Sequence, residues 1–407
     1  MSFNFGTDKV RGLNIGGWLV LEPWITPSIF QKLNGPVDEY TLTQSLGPDA
    51  ALSVLKPHWE NFVTKADFQK IAGHGFNTVR IPIGYWAFRK FDNDPYVQGA
   101  APYLDRAIQW ASETGLKVWI DVHGAPGSQN GFDNSGHRTD NIAFQQGANV
   151  QHTLEVLQDI SDKYANMQDV VVAIELLNEP LGPKLDLNNV KQFYRDGFAK
   201  VRSRSDTVVV LHDAFEPVSY WNNFLTPSDN NAQNGMLASS SIFLSRNSFT
   251  NHSQIVLVDH HEYQVFDNTM IQWPPWKHRQ QVCNMASPYQ GSDKWVVVGE
   301  WTAAMTDCAA ALNGYGVGAR YDGTYPGSTR VGSCGRYNFI DQWDDALRAD
   351  TRQYLEAQLQ TFERYTQGWI FWNFKTEASA EWDAFRLLDA GIFPQPLTDR
   401  KYGMICS

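Results

Sequence analysis

Eight short apolar runs recur along the chain, and their interiors are continuously apolar rather than alternating. Examples are VVVL at 208–211 and WVVV at 295–298. Continuous apolar runs predict strands that are covered on both faces, as in a parallel sheet. The runs are Val10–Trp18, Thr78–Tyr85, Lys117–Gly124, Val171–Pro180, Val208–Ala214, Gln254–Tyr263, Trp295–Thr302 and Gly368–Lys375.

Helical patterns lie between several of these runs, with apolar residues spaced by four and three positions so that they form one buried stripe. Two such sets are Leu104, Ile108 and Ala111, and Leu355, Leu359 and Phe362. The alternation of strand and helix predicts an α/β fold, a single (β/α)8 TIM barrel that occupies residues 1–407. The segment Asn14–Trp18 lacks the glycine spacing of a dinucleotide-binding loop, which argues against a doubly wound sheet.

Two stretches depart from the minimal barrel pattern. Pro227–Asn251 is polar and rich in Ser and Asn, and Gly314–Cys334 is rich in Gly and Tyr. Both are predicted to be loop excursions, because neither is long enough to form its own core. A helix is predicted at Val218–Leu225, so we expect the first excursion to start on the face of the barrel away from the active-site mouth.

The charge and composition restrict the partners that the chain can bind. A formal net charge of -11 argues against nucleic acid, whose phosphates require clustered Lys and Arg. No apolar run approaches the ~20 residues of a membrane helix. The 15 Trp, 16 Tyr and 23 Phe suit a sugar ligand, since flat rings stack on the C–H faces of sugars, although most of these rings are expected in the core. We expect a monomer with no cofactor and no metal.

The four cysteines have no CxxC spacing that would indicate zinc or redox chemistry. Two disulfides are therefore expected, and these imply an oxidising compartment and a secreted protein of the extracellular space or cell wall. The alternative is four free, buried thiols in a cytosolic enzyme. Asn251 begins the one glycosylation sequon, which is compatible with secretion.

Polar residues at the ends of the apolar runs are the candidates for chemistry, because catalytic groups of a (β/α)8 barrel lie at the C-terminal ends of its strands. Glu179 and Glu300 end the fourth and seventh runs, which face each other across a closed barrel. Two carboxyl groups ~5 Å apart can cleave a glycosidic bond with retention of configuration. The full set of polar strand ends is Arg80, His123, Asn178, Glu179, His261, Glu262, Tyr263, Glu300 and Trp372.

Several ordered motifs carry a resemblance to a known family. ELLNEP at 175–180 and VGEW at 298–301 resemble the two catalytic motifs of glycoside hydrolase family five. The resemblance is closer still to the fungal exo-β-1,3-glucanases of that family, through RGLNIGGWLVLEPWITPS, DVHGAPGSQNGFDNSG, ELLNEPLGP, DHHEYQVF, GEWTAAMTDC and GIFPQPLTDR. It implies hydrolysis of a β-1,3-glucan from its non-reducing ends.

The resemblance also implies residue roles. Glu179 would be the acid/base and Glu300 the nucleophile, with Asn178 bonding the sugar 2-hydroxyl. Arg80 would orient the nucleophile and keep it ionised. Further sugar contacts, with Tyr263 also bonding the nucleophile, would be Glu22, His123, Phe132, His261, Tyr263, Phe266 and Trp372. The implied disulfides are Cys308–Cys334 and Cys283–Cys406. Taken without the resemblance, His260 and Glu262 are interpreted as scaffold.

Two other functions remain open. Disaccharide-releasing β-glucosidases of the rutinosidase type share the framework and both glutamates, although the VLHDAF and NNFLT segments favour the exo-glucanases. A non-catalytic glycan-binding barrel is the other alternative, but such a loss of function usually removes one of the two carboxylates. Pro227–Asn251 is longer than the resemblance leads us to expect, and it would weaken the glucanase interpretation if it reached the rim of the pocket.

Overall fold

The computed structural model describes residues 3–226, 229 and 256–406, and it contains eight parallel strands in one closed barrel. Each strand pairs with the next along the chain, and the eighth closes the barrel against the first. The predicted (β/α)8 fold is confirmed. The strands are β1 (Val10–Asn14), β2 (Thr78–Gly84), β3 (Lys117–Gly124), β4 (Val171–Glu175), β5 (Val208–His212), β6 (Val256–Glu262), β7 (Trp295–Trp301) and β8 (Gly368–Phe371).

The α-helices of the described residues lie in the connections between strands and after β8. Between β1 and β2 come four helices, whereas the described part of the β5–β6 connection holds only a short 3₁₀ turn. The helices are α1 (Pro27–Gln31), α2 (Glu39–Leu46), α3 (Pro48–Asn61), α4 (Lys65–Gly73), α5 (Ala101–Thr114), α6 (Asn149–Tyr164), α7 (Leu187–Arg202), α8 (Pro275–Asn284), α9 (Ala286–Gln290), α10 (Asp345–Tyr365) and α11 (Ala384–Asp389).

The strands alternate between residues that face the helices and residues that face the barrel interior. On β3 the inward series is Trp119, Asp121 and His123, so it changes from apolar to polar along the strand. The same change occurs on other strands. The apolar inward residues form one cluster below the polar ones, and it comprises Phe5, Val10, Trp119, Val172, Ala173, Val208, Val210, Leu257, Val297 and Ile370. The barrel is therefore closed at its base and polar at its mouth.

A β-bulge in the β6–β7 pairing changes the direction in which the Glu300 side chain points. The register shifts between His260 and His261, which pair with Val298 and Glu300 and leave Gly299 as an extra residue. Gly299 faces inward, since a Cβ there would lie 2.1 Å from Asp259 Oδ1. Strict alternation would then turn Glu300 outward toward the helices, and the extra residue instead directs it into the barrel, as bulges beside active sites do.

The predicted run Lys117–Gly124 matches β3 at both ends, whereas the other seven predicted runs extend past the C-terminal ends of their strands. β1 ends at Asn14 rather than Trp18, and β4 ends at Glu175 rather than Pro180, because the chain turns there into the loops of the mouth. The prediction of a helix at Val218–Leu225 is wrong. Only Val218–Trp221 forms a 3₁₀ turn, and Leu225 has a left-handed φ of 50° that no right-handed helix allows.

The predicted disulfides are both present, with Cα–Cα distances of 5.1 Å for Cys283–Cys406 and 5.0 Å for Cys308–Cys334. The second closes the Gly314–Cys334 excursion, which has no helix or strand before Cys334. Nearly all of Pro227–Asn251 lies outside the described residues, as does Asn251. Among the helices that the structure describes, none is long and apolar enough to cross a membrane.

Candidate active site

Arg80 lies at the centre of the polar layer inside the barrel, with a fully buried side chain. Its Nε donates to Glu175 Oε2 at 2.8 Å and lies 3.6 Å from Asp259 Oδ2, and its Nη2 is 3.2 Å from Asp121 Oδ2. Burial lowers the pKa of Arg80, but these carboxylates outweigh it and raise the pKa well above its ordinary value. Arg80 is therefore a permanent cation held by several strands at once.

The same guanidinium also reaches Glu300 in β7 and Asn178, which follows β4. Nη1 donates to Glu300 Oε1 at 2.9 Å and to Asn14 Oδ1 at 3.0 Å, while Nη2 donates to Asn178 Oδ1 at 2.9 Å. Accepting this bond leaves the Asn178 amide nitrogen facing His123 Nε2 at 3.5 Å. The orientation of Asn178 is thus fixed by its neighbours.

Glu300 is 4% exposed and accepts a second hydrogen bond at Oε2, from the Tyr263 hydroxyl at 2.8 Å. Burial raises the pKa of Glu300 to about 7, against the charges of His261 and Arg80, which lower it. The position of Arg80 agrees with its predicted orienting role. Arg80 does not by itself keep Glu300 ionised, because burial has the larger effect on the pKa of Glu300.

Glu179 follows β4 in a backbone conformation that its residue type rarely adopts, with φ at +46°. Its Oε1 lies 2.7 Å from His261 Nδ1, and its Oε2 accepts from Asn134 Nδ2 at 3.0 Å. Burial raises the pKa of Glu179, but the hydrogen bond and charge of His261 outweigh burial and lower the pKa below its ordinary value. A strained backbone held by several contacts is typical of functional sites.

His261 connects the two glutamates. Nδ1 is 2.7 Å from Glu179 Oε1 and 3.4 Å from Glu300 Oε2, and Nε2 is 3.3 Å from Asp259 Oδ2. Burial lowers the pKa of His261, but the charges of Glu300 and Asp259 and the hydrogen bonds to carboxylates raise it well above its usual range. Both ring nitrogens face carboxylates, so His261 is an imidazolium that donates from each.

His123 and Trp372 form one wall beside these groups. His123 Nδ1 lies 2.5 Å from Asp121 Oδ2, and its ring is nearly parallel to that of Trp372 with centroids 5.6 Å apart. Burial and the neighbouring Arg80 lower the pKa of His123 to about 3, so it is neutral. Gly16 lies under Trp372, where a Cβ would come within 2.6 Å of the indole.

A cavity of about 580 Å³ opens above both glutamates. Glu22 lies in its wall, where Oε2 accepts from Trp24 Nε1 at 3.0 Å and Oε1 has no protein partner. Asp133 Oδ2 is likewise buried and unpartnered. Phe132 and Phe266 line the cavity and are 41% and 44% exposed, as entrance rings would be. Two unpaired carboxylate oxygens in a cavity wall suit a ligand with hydroxyl donors.

The residues that the sequence predicts for the site lie close together in space. Several residues that hold them in place were not predicted. Three of the missed charged residues, Asp121, Glu175 and Asp259, lie inside the predicted apolar runs, and an inward charge in such a run was the available signal. Asp133 lies in the loop after β3. The missed residues are Asn14, Trp24, Asp121, Asp133, Asn134, Glu175, Phe215 and Asp259.

Two groups of side chains have the separations of metal ligands, namely Glu179 with His212 and His261, and Glu175 with Asp259 and His261. The second already surrounds the Arg80 cation. In the first, His212 Nδ1 accepts from the Ala214 amide, so its other nitrogen carries hydrogen and cannot bind a cation. The side chains of these two groups are therefore better suited to hydrogen bonds and to ion pairs with Arg80 than to metal coordination.

Comparison with known proteins agrees with this geometry. The family model described as Cellulase (glycosyl hydrolase family 5) matches residues 44–316. Glucan 1,3-beta-glucosidase of Candida oleophila is 46% identical, covering 100% of this chain and 93% of the relative. Glucan 1,3-beta-glucosidase I/II of Saccharomyces cerevisiae is 45% identical, covering 98% and 88%. The crystal structure of rutinosidase from Aspergillus niger shares the fold, with a TM-score of 0.71 at 20% identity over 97% of this chain and all of that one.

Proposed function

The chain belongs to glycosyl hydrolase family 5, and from this premise we propose that it is a retaining exo-β-1,3-glucanase. It releases glucose from the non-reducing ends of β-1,3-glucans. The relatives that it matches over nearly their full length are glucan 1,3-beta-glucosidases, which favours this substrate over the disaccharide glycosides of rutinosidases. The whole chain then acts as one catalytic domain.

The observation that carries the mechanism is that one nitrogen, His261 Nδ1, lies 2.7 Å from Glu179 and 3.4 Å from Glu300. The two carboxylate oxygens cannot be farther apart than these distances combined, which is less than the about 6.5–9.5 Å that inverting enzymes use. A separation below that of inverting enzymes supports a direct attack by one carboxylate rather than by a water molecule.

In the first step the Glu300 carboxylate attacks the anomeric carbon, and Glu179 gives its proton to the departing glycosidic oxygen. In the second step Glu179 removes a proton from water, which attacks the same carbon and frees Glu300. Arg80 and Tyr263 each hold one oxygen of Glu300, which favours this residue as the nucleophile. Glu179, held by His261 and Asn134, is the acid/base.

The pKa values support the proton count of this mechanism. Below about pH 7 His261 carries one proton and Glu300, whose pKa burial raises to about 7, carries a second, while His261 lowers the pKa of Glu179. Transfer of the second proton to Glu179 gives the reactive arrangement without any exchange with solvent.

The sugar roles follow from the cavity. Trp372 forms the floor, and the unpartnered oxygen of Glu22 accepts from an outer hydroxyl. Asn178, one residue before Glu179, meets the sugar 2-hydroxyl. Phe132 and Phe266 grip the next sugar at the entrance. We also propose that the protein is a secreted monomer, and the two disulfides support an oxidising compartment.

The product profile from laminari-oligosaccharides tests the proposal. Glucose should be released singly, and proton NMR of early products should show β-glucose before mutarotation. Early α-glucose would mean inversion, and early larger fragments would mean internal cleavage. Faster turnover of rutin than of laminarin would favour the rutinosidase-type alternative, and no hydrolysis of any aryl β-glucoside would favour a glycan-binding barrel.

A further inference from the structure

Two loops from opposite sides of the barrel touch each other over its mouth. In a closed barrel of eight strands ordered by sequence, β3 and β7 are diametrically opposite. Arg138, in the loop after β3, donates from Nη1 to the carbonyl of Tyr315, in the loop after β7, at 3.1 Å. Arg138 lines the cavity, so this contact joins the two loops at the rim of the mouth.

Arg138 contacts the backbone of Gly314 as well as that of Tyr315. Gly314, which precedes Tyr315, has φ at +108°, and a Cβ there would lie 2.9 Å from Arg138 Nη1. The guanidinium therefore rests directly on the backbone of the β7 loop. Arg138 and Gly314 both line the cavity above the glutamates. We call the contact of Arg138 with Gly314 and Tyr315 the mouth bridge.

Both ends of the mouth bridge are anchored on the connection between β1 and β2. The backbone amide of Arg138 donates to Asp38 Oδ2 at 2.6 Å, at the N-terminus of α2. The Tyr315 ring packs against the buried Phe30 of α1, with centroids 5.9 Å apart. The bridge and these helices thus form a continuous wall on the β1 side of the mouth.

The opposite side of the mouth is open and aromatic. Phe215 follows β5 and Phe266 follows β6, and these rings are 45% and 44% exposed at the cavity. The unpartnered oxygens of Glu22 and Asp133 lie in the same cavity, where a hydroxyl-bearing end of a ligand can be held. A β-glucan chain can therefore leave the cavity past the aromatic rings but meets the wall at its other end.

We infer that the mouth bridge between Arg138 and the Gly314–Tyr315 backbone determines the exo specificity, by preventing a glucan chain from extending past the terminal glucose. The inference rests on the proposed exo-glucanase function and assigns its chain-end selection to a particular contact. Arg138 does not take part in the bond cleavage, since none of its recorded contacts joins it to Glu179 or Glu300.

Laminarin with destroyed non-reducing ends tests the inference. Periodate cleaves adjacent diols, so with borohydride reduction it opens terminal glucose residues, whereas interior 3-linked residues have no adjacent hydroxyls and stay intact. The wild type should release nothing from this end-blocked polymer. Arg138→Ala should release oligosaccharides, and its rate on end-blocked relative to native laminarin should rise by at least about tenfold.

Gly314→Ala breaks the bridge from the other loop and should show the same gain. Arg336→Ala is the matched control, because Arg336 is an exposed arginine in the same β7–β8 connection whose guanidinium pairs with Asp344 outside the cavity. Measurable aryl β-glucoside hydrolysis and a cooperative melting transition report that each variant is folded. If folded Arg138→Ala and Gly314→Ala remain inactive on end-blocked laminarin, the inference is wrong. If the wild type itself cleaves this polymer, the proposed exo action fails instead.

Discussion

The charged centre of the barrel and the rim of its mouth are built in different ways. Around Arg80 every partner is buried, and a single guanidinium contacts residues of β1, β3, β4, β6 and β7. At the rim, Phe132, Phe215 and Phe266 are 41–45% exposed and have apolar ring contacts or open solvent around them. The centre is rigid because each group fixes several others, whereas the rim is a set of separable contacts.

This difference indicates which residues determine catalysis and which determine substrate affinity. Breaking one link at the centre leaves buried charges unpaired, so the loss spreads through the network. A rim ring contributes mainly apolar stacking, which is lost one contact at a time. Substitutions at the centre should therefore affect catalysis and folding together, and substitutions at the rim should affect substrate affinity alone.

The largest effects should come from the two glutamates, and they should differ. Glu300→Ala should lower activity on every substrate by about 10⁴-fold or more, because a nucleophile is needed whatever the leaving group. Glu179→Ala should keep activity on an aryl glucoside with a good leaving group, and added azide should raise it and give a β-glucosyl azide. If azide rescues Glu300→Ala to the inverted azide and has no effect on Glu179→Ala, the assigned roles are exchanged.

Removing the central cation should have the next largest effect. Arg80→Met leaves Glu175, Asp121 and Asp259 without their shared partner, so the free energy of unfolding should fall by about 3–5 kcal/mol. Arg89→Met is the control, since Arg89 pairs with Asp159 on the surface, and it should cost less than about 1 kcal/mol. Urea unfolding of both variants measures the contrast. If both variants lose the same free energy of unfolding, the buried ion pairs of Arg80 stabilise the fold no more than a surface ion pair does.

The pH dependence separates the proton of the acid from that of the nucleophile. In the wild type kcat/KM should fall about tenfold per pH unit above about pH 7, where Glu300 loses the proton that it would pass to Glu179. Burial is the main cause of the raised pKa of Glu300, and the charge of Glu179 adds to it, so removing that charge in Glu179→Gln lowers the pKa of Glu300. With an aryl glucoside of good leaving group the variant needs only ionised Glu300, and its rate should stay level above pH 7. A falling alkaline limb in the variant would contradict this proton assignment.

The smallest effects should come from the rim. Phe132→Ala and Phe266→Ala should each raise KM for laminaritriose by about three- to tenfold, the loss of one stacking contact, and should change kcat much less. Phe339→Ala is the matched control, because Phe339 is 49% exposed and does not line the cavity. Steady-state kinetics decide the point. A large fall in kcat for either rim variant would mean that the rim is coupled to the chemistry.

The sequence was informative where a single residue ends a buried strand, since Glu179 and Glu300 follow runs that have to face the barrel. It was less informative about Glu175 and Asp259, because a charge inside an apolar run identifies no partner until the barrel closes. The direction of Glu300 depends on an extra residue at Gly299 that no local pattern predicts. The helix predicted after β5 failed because tertiary contacts and left-handed residues overrode a plausible apolar spacing.

The central claim is that Glu300 forms a covalent bond to the sugar while Glu179 transfers the proton. A 2-deoxy-2-fluoro-β-glucosyl fluoride slows both steps but has a leaving group good enough to let the first one proceed, so the intermediate accumulates. Peptide mapping by mass spectrometry of the inactivated enzyme should place one fluoroglucosyl group on Glu300. A label on Glu179, or an enzyme that turns over without any label, would contradict the account.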